Sequence, residues 1–107
     1  MSNRAAVYET YLQTHPGDRF ALYSLALELK KAGDVAAAEA RFRELLALHP
    51  ASGAGHYQLG KLLAEAGRRD DAEAAWEAGL EALRGLRDPE ARRSRSELQG
   101  ALDELDD

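Results

Sequence analysis

The sequence predicts an all-α protein built of antiparallel helix pairs, and three observations lead there. The chain repeats itself at a fixed offset, apolar residues recur at helical spacing inside each period, and Gly and Pro fall where helices would stop. The repeat shows first in His15-Pro16 and His49-Pro50, an offset of 50 − 16 = 34 residues. At the same offset Tyr23 meets Tyr57, Leu25 meets Leu59, Leu29 meets Leu63, Gly33 meets Gly67, Ala38 meets Ala72, Phe42 meets Trp76 and Leu46 meets Leu80. Alanine-rich composition does not produce such matches, because they include glycine and aromatic positions spread over a whole period.

The elements follow in chain order. Residues 3–15 predict a helix in which Ala5, Tyr8, Tyr11 and Leu12 precede His15-Pro16 much as Glu39, Phe42, Leu45 and Leu46 precede His49-Pro50, so this is the second helix of a leading half-unit. Residues 19–52 form the first full unit. Leu22, Leu25, Ala26 and Leu29 stand at i, i+3, i+4 and i+7 on one helical face. Gly33 closes that helix through the left-handed conformation that glycine tolerates. Asp34 is a candidate cap for the next helix, whose stripe is Ala38, Phe42, Leu45 and Leu46, and Pro50 ends it. Residues 53–86 repeat the plan with Leu59, Gly60 and Leu63, then Gly67, then Ala72, Trp76 and Leu80. Trp76 is expected in the core.

Residues 89–105 predict a closing helix. Asp88-Pro89-Glu90 supplies a cap, a proline at the first helical position and an early acid. A third repeat would begin at Arg87 and would need apolar residues where Glu90 and Arg93 stand, so this helix is a terminal cap with the stripe Leu98, Leu102 and Leu105. The acidic end, including Asp103, Glu104, Asp106 and Asp107, opposes the helix dipole, and the last residues are expected to fray.

These residues resemble the tetratricopeptide repeat family over Arg19 to Ser52 and Gly53 to Leu86. The family's pattern positions hold Leu22, Leu25, Ala26, Leu29, Ala38, Phe42, Leu45 and Pro50 in the first unit, and His56, Leu59, Gly60, Leu63, Ala72, Trp76, Gly79 and Arg84 in the second. His56, Leu45 and Arg84 depart from it, while the small residues Ala26, Gly60, Ala38 and Ala72 stand where helices pack closely. The resemblance implies a short right-handed α-solenoid of about six helices, a single domain over 1–107, and a non-catalytic protein-binding role.

Composition bounds the rest. The 107 residues are 45% hydrophobic and 31% charged, too apolar for disorder, and no apolar run approaches the roughly 20 residues of a membrane span. The first residues lack a secretory pattern, so a cytoplasmic location is the expectation. With no cysteine there is no disulfide, thiolate metal site or thiol nucleophile. A net charge of −5 repels phosphate backbones. The one basic stretch, Arg84, Arg87, Arg92, Arg93 and Arg95, is interspersed with Asp88 and Glu90 and has no aromatic, so no nucleic-acid partner is expected. His15 and His49 suit helix C-termini, and His56, at a packing position, has no ligand at i+4, so no metal is expected. Glu73 and Glu77 share a solvated face, and Gly53, Gly55 and Gly60 lack the strand and the GK[ST] of a phosphate loop. No catalytic residue and no cofactor are assigned.

The candidate binding residues lie on the first helix of each unit, opposite its packing stripe: Phe20, Tyr23, Leu27 and Lys30, then Tyr57 and Lys61 with Ala54 and Ala64, and Gln58 beside them. The family's concave groove is lined by these positions. An aqueous face would not ordinarily carry Phe, two Tyr and Leu, and tyrosine combines contact area with a hydrogen bond at small entropic cost. Relatives that grip a C-terminal carboxylate use Lys and Asn where this chain has Tyr23, Leu27 and Gln58, so that role is not carried over. The expected ligand is an apolar or mildly acidic peptide or protein segment; the alternatives are a homodimer through the same face or through the outer side of the N-terminal helix, and side chains covered as core by the N-terminal or neighbouring helices.

Overall fold

The computed structural model describes residues 3–105, so Asp106 and Asp107, to which the fraying expectation extends, lie outside the described residues. Six helices and no strand are found there: α1 Asn3–Thr14, α2 Arg19–Lys31, α3 Val35–Leu48, α4 Gly53–Glu65, α5 Arg69–Ala82 and α6 Pro89–Leu105. The predicted all-α class of paired helices is what forms. Contacts divide the chain into two compact units, one ending at His49 and one beginning at Pro50.

In the first unit α2 packs against both α1 and α3. The Asp18 carboxylate caps α2 by accepting from the Ala21 N–H at 2.8 Å, and Asp34 caps α3 through the Ala37 N–H at 3.2 Å. Between them Gly33 adopts φ 83°, which lets the Asp34 N–H reach back to the Leu29 carbonyl at 3.0 Å and close α2. The chain reverses there in three residues, setting the apolar stripes of α2 and α3 face to face. Leu22, Leu25, Ala26, Ala38, Phe42 and Leu45 are completely buried. Each Leu or Phe so buried contributes roughly 1.5–3 kcal/mol.

α1 departs from its predicted stripe. Ala5 and Leu12 are buried, but Tyr8 is only half-buried and Tyr11 is 44% exposed, its ring stacked on His15 at 4.2 Å. The physical reason is coverage: the counterparts Phe42 and Leu45 lie beneath α2, and among the described residues no helix lies over α1 in that way.

In the second unit α4, α5 and α6 contact one another. The loop after α4 reproduces the first, with Gly67 at φ 82° and the Arg68 N–H on the Leu63 carbonyl at 2.8 Å. Gly60 lies against the Trp76 indole so closely that a Cβ there would fall 2.0 Å from its Nε1. Trp76 is 4% exposed and donates Nε1–H to the Tyr57 carbonyl at 3.0 Å. α6 starts at the Asp88 cap, which accepts from the Ala91 N–H at 3.1 Å. Its buried side is Ala91, Ser94 and Leu98, with Leu102 and Leu105 half-buried. The leucine stripe therefore begins earlier than expected, because Ser94 fits where Gly53 of α4 leaves no side chain. Arg95 Nη1 donates to the Leu83 and Leu86 carbonyls at 2.8 and 2.7 Å, tying α6 to the turn that follows α5, where the Leu86 N–H also donates to the Leu83 carbonyl. No described helix is long and apolar enough to cross a membrane.

Candidate functional site

The face predicted on α2 is built in the first unit. With the Leu22, Leu25 and Leu29 side turned into the core, the helical period turns Phe20, Tyr23, Leu27 and Lys30 away from it. Phe20 is 70% exposed, its ring edge-on to Tyr8 with centroids 6.2 Å apart. Tyr23 is half-buried and rests edge-on against Phe42 at 6.3 Å. Leu27 and Lys30 are half-buried. The face is therefore a fixed aromatic and aliphatic strip, because core contacts orient its rings, with an ammonium at its C-terminal end.

The second unit builds the corresponding face on α4 by the same logic. Tyr57, Gln58 and Lys61 are half-buried and Ala54 is exposed. The Tyr57 backbone is tied to the core through its carbonyl bond from Trp76. Lys61 Nζ lies 5.8 Å from the Tyr57 ring centroid, close enough for cation–π attraction. Neither face carries a nucleophile paired with a base. What such faces offer is area, a few hydrogen-bonding groups and weak positive charge.

The histidines are occupied structurally. His15 Nδ1 lies 2.9 Å from Thr14 Oγ1. His49 Nε2 donates to the Gly17 carbonyl at 2.8 Å, tying the α1–α2 turn to the end of α3, a long-range bond that its place before a proline did not reveal. His56 is buried, and its Nε2–H donates to the Pro50 carbonyl at 2.8 Å. Its Nδ1 is buried with no hydrogen-bond partner. Burial lowers its pKa from the ordinary 6.5, outweighing the Pro50 bond, which raises it, so the ring is neutral at pH 7.

Among the described residues no group of three His, Cys, Asp or Glu is placed to hold a metal. Glu73 and Glu77 are exposed on α5. Within the basic stretch Arg84 pairs with Glu81 and Arg95 is engaged by carbonyls. The residues that sequence reading missed are Ser94 and the His49–Gly17 tie. Ala91, Ser94 and Leu98 share a helical stripe with spacing i, i+3, i+7, which puts Ser94 on the side of Leu98, while its burial comes from the space that Gly53 leaves.

Comparison with known proteins adds to this geometry. A sequence model described as tetratricopeptide repeat matches residues 29–103. The chain is similar to the solution NMR structure of a tetratricopeptide repeat domain protein from Salinibacter ruber, with 34% identity and a TM-score of 0.73, over 84% of this chain and 88% of that one. No curated protein matches significantly.

Proposed function

We propose, from the premise that the chain belongs to the tetratricopeptide repeat family, that it is a non-catalytic module whose α2 and α4 faces bind a segment of another protein. Members of the family are in general protein-interaction modules without catalysis of their own, and the finer reading rests on one observation. Phe20, 70% exposed, and the half-buried Tyr23, Leu27 and Tyr57 turn aromatic and apolar surface outward from helices whose other sides already fill a core. Lys30 and Lys61 add positive charge at the ends of the two strips, so an apolar or mildly acidic segment suits them. A partner would bind by burying side chains, with Tyr23 and Tyr57 as anchors that lose little rotamer freedom.

Affinity capture from the native lysate tests this with the wild type beside a Tyr23→Ala/Tyr57→Ala variant, after melting curves have shown that the variant folds. A protein retained by the wild type and lost by the variant is the expected result. The exposure of Phe20 also favours a second reading, a homodimer through the same surface. Light scattering at micromolar concentrations separates the two. A dimer that Tyr23→Ala plus Leu27→Glu converts into a folded monomer would replace the first reading with the second.

A further inference from the structure

α1 carries a second stripe on the side turned away from Ala5 and Leu12. Arg4, Val7, Tyr8, Tyr11 and His15 stand at i, i+3, i+4, i+7 and i+11, close to one line along the helix. Val7 is 64% and Tyr11 44% exposed, an unusual amount of apolar surface on a 12-residue helix whose other side is packed. The internal repeat shows what such a stripe is for. One period later the same positions in α3 are Ala38, Arg41, Phe42, Leu45 and His49, and two periods later in α5 they are Ala72, Ala75, Trp76, Gly79 and Leu83. There most of them are hidden: Ala38, Phe42, Leu45 and Ala72 are 0% exposed and Trp76 4%, while Arg41 and His49 are half-buried. In each case the helix just before it in the chain packs along that stripe, α2 on α3 and α4 on α5.

We propose that the α1 stripe docks an amphipathic helix of a partner protein, seated on α1 as α2 is seated on α3. The two covering helices specify its chemistry. Both carry Leu, a small residue, and Leu in the same register, Leu25-Ala26-Leu29 and Leu59-Gly60-Leu63, and in the second unit the small residue Gly60 lies against the Trp76 ring of the helix it covers. Tyr8 stands at the position of Phe42 and Trp76, so the docked helix needs alanine or glycine opposite it. Arg4 stands where α3 and α5 have alanine, and it makes no ion pair among the described residues, unlike Arg41 with Glu44 or Arg43 with Glu39. An acidic residue on the docked helix complements it. A second copy of this chain does not fit, because its own α2 and α4 are already committed. Phe20, which lies against Tyr8 and so borders both this stripe and the α2 face, is left unchanged in its test.

The test uses a fluorescent peptide with the sequence of residues 53–65, titrated into the full chain with amide shifts recorded by NMR. The expected result is saturable binding with shifts concentrated between Arg4 and His15. Tyr11→Glu and Val7→Glu, both at exposed positions and both melting as the wild type does, should each weaken binding by about tenfold or more. Absence of saturation at millimolar peptide overturns the proposal, as does binding that both glutamate variants retain, or shifts confined to α5, which would signal exchange with the chain's own α4. A wild-type dimer that Val7→Glu dissociates would assign the stripe to a second copy instead.

Discussion

Trp76 and Gly60 form one packing unit, since the indole occupies the space that a Cβ on Gly60 would need, and its Nε1–H is fixed on the Tyr57 carbonyl. At the same repeat positions the first unit carries Ala26 and Phe42, a larger small residue with a smaller ring, and both are fully buried. Gly60→Ala is therefore expected to cost about 1–3 kcal/mol through overpacking, although alanine is the better helix former. Adding Trp76→Phe should recover part of that loss, because the pair then matches Ala26 and Phe42. Denaturant melts of the two single variants and the double variant close this cycle, and strictly additive losses would count against it.

His56 sets a second test at the same scale. Its Nε2–H is committed to Pro50 and its Nδ1 is buried without a partner, so protonation would place an N–H where nothing accepts it. The unfolded chain protonates this ring near 6.5, while burial lowers the folded pKa. The unfolded state thus binds more protons, and the stability contributed by His56 is complete above that value and lost as pH falls below it. His56→Leu, which copies Leu22 of the first unit, should flatten the decline in Tm between about pH 7 and pH 5. Equal slopes in wild type and variant would show that His56 does not carry the effect.

Among the elements, the helix starts differ in a way that melting can read. α2, α3, α4 and α6 each begin with a side chain that accepts a backbone N–H, from Asp18, Asp34, Ser52 and Asp88. α5 begins at Arg68, which makes no such bond and instead pairs with Asp71 at 2.9 Å on the surface. Asp88→Ala should therefore cost about 1 kcal/mol in a denaturant melt, and an unchanged melt would show that this cap does not hold α6. Most of this was legible in the sequence: Asp34 and Asp88 stand before apolar periodicity, and Gly33 and Gly67 mark the stops. Ser94 was not, because its burial follows from the missing side chain at Gly53, a residue 41 positions away in the chain (94 − 53). Nor was the exposure of Tyr11, since a helical stripe shows which residues share a side but not whether another helix lies on it.

For the whole molecule, an interaction module predicts that the outward tyrosines matter more for partner retention than for folding, the opposite of Trp76. Tyr23→Ala/Tyr57→Ala should lose partner while keeping a cooperative melt, and a variant that fails to fold would place these rings in the core instead. The sequence by itself determined the class of fold, the number and order of the helices and the register of the repeat. Those properties follow from local rules, because period, caps and left-handed glycines act within a few residues of one another. Only the tertiary structure decided which faces are covered. It seated the indole on Gly60, buried Nδ1 of His56, committed Arg95 to the end of α5 and left Val7 and Tyr11 in the open. Coverage depends on which helix lies across a given stripe, and that is set by contacts between residues far apart in the chain, which no local spacing encodes.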